Sequence, residues 1–299
     1  MKKELVMVTV LLLACVFTSH GQLIDNEVGN AFEDEMFFNE AFIANNEVVS
    51  VTGESWVKRN GELMKKQPGS KKYIFGEAGK LQKLYKVKKM FGELDTLHIL
   101  WDYNSEGDVI TKVEKDKRGF YAERNEYGES NLLQERRYYR YTNDSGSRDQ
   151  FSPKKEYLIN KEQFEHRRIN DTVKVQITLN NYGLPYKKLK TTWSSSGYLL
   201  SELLEYTVSG QKVRTLYSYN NNGWISSLKQ VHQPEGNTDE KKFVYDKMGN
   251  LLFGDHFKNG KKTHRTELIY DEGMLLHSTI HRELSSNIMN ITKFYYTFE

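Results

Sequence analysis

Four of the eight histidines, His256, His264, His277 and His281, lie beyond residue 250, close in sequence to Asp255, Asp271 and Glu283. Imidazoles beside carboxylates are the residue types of a zinc site or of an acid–base pair. Spacing decides against the simplest version. On a regular strand His277 and His281 share a face but stand about 13 Å apart, too far for one metal. On a helix the same spacing would suit zinc. Pairing across strands with His256 or His264 is the remaining route to a site. Solvated sheet histidines without a ligand role are the plainer reading, since no ligand spacing is diagnostic.

The 40 acidic residues make accidental carboxylate pairs certain. A glycosidase dyad, which needs two carboxyls about 5–10 Å apart in space, is therefore not legible. There is no Gly-x-Ser-x-Gly elbow, no phosphate-cradling Gly-Lys-Ser/Thr loop and no His-Glu-x-x-His. Asp102, Asp246 and Asp271 each offer one carboxylate near a turn, short of the six- to eight-oxygen shell of Ca²⁺, and capping the turn backbone is the plainer role. The expectation is a protein with no catalytic site, metal or cofactor. Trp101, Trp193, Tyr219, Trp224 and Tyr245 carry a better functional idea. Aromatics repeated at hairpin tips or on one open face make a platform for a glycan or a surface peptide. Their structural alternative is to cover the sheet and fill gaps between strands.

These residues recur because the chain repeats one phrase. Tyr217-x-Tyr219 precedes Asn220-Asn221-Asn222-Gly223-Trp224-Ile225, and Phe243-x-Tyr245 precedes Asp246-Lys247-Met248-Gly249-Asn250-Leu251. Leu268-x-Tyr270 precedes Asp271-Glu272-Gly273-Met274-Leu275. Further copies lead from Tyr73-x-Phe75 to Gly79, Trp101-Asp102-Tyr103 to Gly107, and Tyr139-Arg140-Tyr141 to Gly146. Two more lead from Ile177-x-Leu179 to Gly183 and from Thr191-Thr192-Trp193 to Gly197. A β-prone pair at alternate positions, a polar turn with Gly and an apolar restart is the writing of a hairpin. Second-kind turns at Ser209-Gly210, Gln233-Pro234-Glu235-Gly236, Asn259-Gly260 and Ser285-Ser286-Asn287 alternate with the phrase. One up-and-down strand pair per repeat makes an all-β antiparallel meander, one large twisted or curled sheet. In one strand Val213, Thr215, Tyr217 and Tyr219 share a face, with Arg214 and Ser218 on the other. With no helices to cover it, such a sheet must curl, close or stay wet on one side.

The phrase Tyr-Asp-x-x-Gly-x-Leu resembles the tyrosine–aspartate (YD) repeat of the RHS family. It is fullest at Phe243–Leu252 and shortened at Tyr270–Leu275, with degenerate copies at Tyr219-Asn220 and Trp101-Asp102. The resemblance implies a long sheet wound from hairpins, on secreted or surface-exposed proteins, some of them carbohydrate-binding. This chain has too few repeats for the hollow shell of large members, and lacks their proline- and aspartate-rich end signature and toxin domain. Encapsulation and self-cleavage are not carried over.

Residues 1–21 have the layout of a signal peptide: Lys2 and Lys3, an apolar run from Leu5 to Phe17, and small residues Ser19 and Gly21 before Gln22. Leu12-Leu13-Ala14-Cys15 resembles a lipoprotein box, which would leave Cys15 lipidated. Cys15 is the single cysteine, so the rest of the chain forms no disulfide and holds no thiolate metal. Residues 22–70 read as an N-terminal cap, with a short helix over 33–43 that sets Phe32, Met36 and Phe42 on one side as a lid on a sheet end. Residues 71–299 read as the repeat domain. A formal charge of +3 with Lys and Glu interspersed gives nucleic-acid binding no footing.

The functional expectation is an exported, non-catalytic binding or scaffold module of the cell envelope, recognising a glycan or a surface protein through its aromatics. Membrane contact is expected only through a lipidated Cys15. The alternatives are an accessory protein docking a partner through its sheet edge or N-terminal segment, and a hydrolase whose site is not recognisable from sequence.

Overall fold

The computed structural model describes residues 22–32, 35–90, 92–116, 119–143 and 153–299. The signal-peptide and Cys15 readings and the Gly146 turn lie outside the described residues.

A short helix, α1 (Glu40–Asn45), precedes eighteen strands. The first nine are β1 (Val48–Lys58), β2 (Lys65–Phe75), β3 (Leu81–Met90), β4 (Glu93–Tyr103), β5 (Val109–Asp116), β6 (Gly119–Tyr127), β7 (Leu133–Asn143), β8 (Pro153–Asn170) and β9 (Val173–Leu179). The second nine are β10 (Pro185–Trp193), β11 (Leu199–Tyr206), β12 (Lys212–Tyr219), β13 (Ile225–Gln233), β14 (Thr238–Tyr245), β15 (Leu251–Lys258), β16 (Lys261–Tyr270), β17 (Leu276–Glu283) and β18 (Met289–Phe298). Each strand pairs antiparallel with the next, and β18 returns to β1, with Val51 opposite Tyr296 and Lys58 opposite Met289. The meander is a closed up-and-down barrel. A twisted sheet of this width otherwise leaves two bare edges of backbone N–H and C=O, and closure pairs them. Of the outcomes open to one large curled sheet, closure is the one that forms: the last strand bonds to the first. Two strands of the ring, β1 and most of β2, come from residues before 71.

The two-residue alternation read in β12 holds. Thr215 is buried, Val213, Tyr217 and Tyr219 are half-buried, and Arg214, Leu216 and Ser218 are exposed. The register shifts at the phrase aromatic in repeat after repeat, at Ile74/Phe75, Asp102/Tyr103, Ser218/Tyr219, Val244/Tyr245 and Ile269/Tyr270. Such a bulge puts two residues opposite one. It accounts for the apolar doublets that spoil strict alternation: Leu251 is 4% exposed and Leu252 36%.

The phrase turns are three-residue hairpin loops closed by a left-handed residue. The Asn220 carboxamide accepts from the backbone N–H of Asn222 and Trp224, and the Asp246 carboxylate accepts from Met248 and Asn250. Asp271 caps its turn through the N–H of Leu275. Asp102 does not: it lies within β4, and Asn104 caps that turn through Asp108. The left-handed position stands four residues after the phrase aromatic. Gly holds it at Gly223 and Gly249, but Asn131 (φ 54°) and Met274 (φ 63°) hold it elsewhere. The repeat after Tyr270 is therefore not shortened, since Met274 rather than Gly273 takes the positive φ. The copy ending at Gly183 joins β9 to β10, at the end of the barrel opposite Gly79, Gly107 and Gly223. Turn chemistry alone does not say which rim a turn occupies.

The phrase tyrosine also has a bonding role. Tyr103, Tyr127, Tyr219, Tyr270 and Tyr296 donate their hydroxyls to the backbone carbonyls of Leu81, Val109, Leu199, Leu251 and Leu276, at 2.6–3.0 Å. Each bond ties one repeat to the restart of the repeat before it. Burial raises the Tyr296 hydroxyl well above its ordinary range.

Eighteen strands about 4.8 Å apart and tilted by about 40° close to a circle roughly 35 Å across, wider than wall side chains alone can fill. Residues 22–46 enter this space. Phe38 packs edge-on to Tyr73 (5.1 Å) and Phe75 (5.3 Å), Gly29 abuts Ile225, Leu228 and Phe243, and Glu40 pairs with Lys80. One short segment touching β2, β3, β13 and β14 at once must lie in the lumen, so the cap is a plug and not a lid. The helix is shorter than expected and begins later, with Asn39 as its N-cap. Phe32 has a positive φ and Met36 is exposed, because Ile24 bridges Phe38 and Asn39 N–H donates to Leu23 (2.8 Å), drawing this stretch into extended pairing.

The outer wall carries ion pairs beside exposed apolar side chains such as Val244, Ile269 and Tyr295. Arg265 makes two bonds to Asp255 (2.6 and 2.7 Å), Arg124 pairs with Glu156, and Arg137 with Glu126. A barrel in lipid instead wears an apolar band about 25 Å tall, where an outward Arg or Lys costs about 2–4 kcal/mol at mid-depth. Among the described residues no helix is long and apolar enough to cross a membrane.

Candidate functional site

The plug does not fill its end of the lumen. Between residues 22–41 and the hairpins of β10 to β14 lies an open cleft of about 880 Å³. Trp193, Tyr219, Trp224 and Tyr245 all line it. Trp101 does not: it is 5% exposed, packed in the core around the plug, and borders a separate shallow cavity. The bulge-and-turn repeat brings the four together, because it ends β10, β12 and β14 with Trp193, Tyr219 and Tyr245 on the lumen side and sets Trp224 in the turn after Tyr219.

The rings are held in pairs. Trp224 lies 5.5 Å from Tyr245, and Tyr198 lies 4.8 Å from Tyr219. The Tyr219 hydroxyl is spoken for by Leu199, and that of Tyr245 accepts from the Asn26 carboxamide (2.9 Å). Burial pushes the Tyr245 hydroxyl up to about 12, with the Asn26 bond acting the other way. Burial also raises Tyr219. Gly223 and Gly249 shape the floor: a Cβ at Gly223 would come within 2.5 Å of the Tyr198 hydroxyl, and one at Gly249 within 2.7 Å of Trp224.

Sequence reasoning missed Tyr198, Met248 and the plug residues Asp25, Asn26 and Glu40, which also line the cleft. Tyr198 was findable, since it follows the turn glycine at the position Trp224 holds in its own repeat. The plug residues carry no such signal. The charged side chains lining the cleft are Asp25, Glu27 and Glu40. Hydroxyl-accepting carboxylates beside paired, tilted rings suit a hydroxyl-rich, flat-faced ligand.

The histidines assemble elsewhere in the lumen. The His264 ring lies between those of His256 (4.3 Å) and His281 (4.6 Å), tilted to both, on adjacent strands. His277 is exposed and apart, because the bulge at Ile269/Tyr270 breaks the alternation that would have put it on the face of His281. Burial, with the charges of His256, His281 and Lys258, lowers His264 to about 4, against the pull of Glu283. Burial lowers His281 as well. Thr263 and Thr266 hydroxyls meet the Nδ1 atoms of His264 and His281 at 3.1 and 3.0 Å. Among the described residues no group of three His, Asp or Glu side chains is arranged to hold a metal ion.

No family model matches the chain, and no curated protein does. Among solved structures it is similar to a porin-like protein from Bacteroides uniformis, at 9% identity over 84% of this chain and 98% of that one, with a TM-score of 0.41. A porin-like protein from Bacteroides vulgatus is 12% identical over 84% and 98%, with a TM-score of 0.32. Likenesses of this grade say nothing of function. The resemblance to the tyrosine–aspartate repeat family is not upheld: no model of any family matches, and the hairpins close into a ring. Within the phrase, Tyr219 and Tyr270 give a hydroxyl to the neighbouring repeat, Tyr245 receives the plug's Asn26, and Asp246 and Asp271 accept from the N–H groups of their turns.

Proposed function

We propose that the chain is an exported, non-catalytic protein of the cell envelope whose plugged barrel binds a glycan in the cleft between plug and rim. The observation that carries this is the convergence of Trp193, Tyr219, Trp224 and Tyr245 on one cavity of about 880 Å³, a volume that suits a small ligand. Rings with their hydroxyls already bonded present faces rather than donors, and faces stack on sugars. Asp25 and Glu27 at the mouth would accept from sugar hydroxyls. Export rests on the leader pattern of residues 1–21. The alternative, docking a partner by a sheet edge or by the N-terminal segment, is less favoured, because the ring pairs its terminal strands and residues 22–46 are packed in the lumen.

A glycan array read together with tryptophan fluorescence tests the reading. Saturable binding that changes the emission, and that is lost in Trp224→Ala and Trp193→Ala with the far-UV spectrum intact, is the expected result. Binding that survives both substitutions, or none to any glycan, overturns it.

A further inference from the structure

Charges that alternate along the sequence are sorted by the topology. Every turn from an even-numbered strand to the next odd one lies at the plug end, and every turn from odd to even at the opposite rim. In the plug and the turns at its end, Glu27, Glu47, Glu77, Glu106, Glu129 and Glu272 are exposed, and Lys80 and Lys247 are the basic residues among the described ones. The opposite rim carries exposed Lys58, Arg59, Lys65, Lys66, Lys89, Lys154, Lys155, Lys258 and Lys261, against exposed Glu62, Glu93, Glu156, Glu235 and Glu283 in or beside its described turns. A chain of net charge +3 is thus polarised along its barrel axis.

The three most exposed apolar side chains among the described residues, Leu63, Tyr182 and Val208, stand at the basic rim, whereas Ile169 (63%) and Met248 (57%) stand at the plug end. Leu63 is 87% exposed, Tyr182 87%, Val208 88%, Leu184 60% and Leu94 54%. They come from four different hairpin tips, at 59–64, 91–94, 180–184 and 207–211. Apolar tips standing out of a ring of lysines, on a molecule whose far end is acidic, is the arrangement that seats a protein on an anionic bilayer. The cations approach the headgroups and the tips enter the interface. A soluble partner protein would be expected to meet one contiguous patch, whereas these tips form two neighbouring pairs, β1–β2 with β3–β4 and β9–β10 with β11–β12, separated around the rim by several strands.

We propose that the basic rim is a docking surface for an anionic lipid bilayer, holding the barrel upright with its plug and cleft facing away from the membrane. This goes beyond glycan binding and does not depend on it. Co-sedimentation of the purified protein with vesicles of one part phosphatidylglycerol to three of phosphatidylcholine, compared with phosphatidylcholine alone, tests it. The expected result is binding to the anionic vesicles that weakens with salt and falls about tenfold or more when Leu63→Ser, Tyr182→Ser and Val208→Ser are combined. Leu132→Ser, at a turn on the acidic end, should leave it unchanged. Failure of the unaltered protein to bind, equal binding of the triple variant, or equal loss in Leu132→Ser each overturns the proposal. All four residues are exposed, so folding survives their replacement, and the far-UV spectrum checks that it does.

Discussion

The Tyr245 hydroxyl accepts a hydrogen bond from the Asn26 carboxamide at 2.9 Å, whereas Tyr219 and Tyr270 in the flanking repeats donate theirs to wall carbonyls. One member of a repeated ladder is thus turned to hold the plug. Asn26 completes the link by accepting from the backbone N–H of Ala31, so the bond fixes the loop as well as the side chain.

Tyr245→Phe should therefore loosen the plug and leave the wall intact. The expected loss is about 1 kcal/mol in urea unfolding, with faster amide exchange over residues 22–46. Tyr270→Phe should cost a similar amount but quicken exchange in β15 and β16. Identical exchange maps for the two variants would contradict the separate roles.

Gly79 and Gly183 share a positive φ, of 73° and 72°. A Cβ at Gly79 would meet the backbone oxygen of Glu40, whereas at Gly183 it would meet nothing within 4 Å. Gly183→Ala should cost about 1 kcal/mol, the backbone term alone, and Gly79→Ala about 2–4 kcal/mol, since the plug helix must shift. Equal midpoints in thermal melts would show that the plug is not seated on that turn.

Met274 occupies a left-handed position that its own repeats give to glycine. Met274→Gly should stabilise by roughly 0.5 kcal/mol, as relief of the φ strain slightly exceeds the added chain entropy. In the opposite sense Gly249→Val should destabilise far more than Lys247→Val, because φ is 94° and Trp224 lies where the side chain would go. Chemical denaturation of the set checks both.

The neighbouring histidines make stability depend on pH. His264 sits at about 4 in the folded chain against about 6.5 when unfolded, so between those values the unfolded state binds more protons. Its contribution is complete above about pH 6.5 and is lost as pH falls toward 4. Melting temperature should drop across that window, and His264→Gln should flatten the drop. A drop of unchanged size in the variant would assign it to other groups.

Much of the wall was legible from the sequence because hairpins are local. The spacing of Tyr219 to Gly223 and of Tyr245 to Gly249, and the alternation of Val213, Thr215, Tyr217 and Tyr219, are set by turn geometry and strand pleat within a few residues. Asn131 and Met274 escaped notice because a left-handed residue need not be glycine. His277 was misplaced because a bulge shifts strand phase without marking the sequence.

The sequence by itself determined an antiparallel meander and the facing of side chains within stretches free of a bulge, such as Val213 to Tyr219, since both follow from interactions between near neighbours. Tertiary structure alone decided that β18 meets β1, that residues 22–46 lie inside, and that acids and bases part to opposite rims. Those outcomes depend on ring closure, a condition on all eighteen strands at once that no single stretch encodes. The cleft belongs half to each source: its rings come from the repeat, and its other wall comes from a plug whose place only the closed barrel defines.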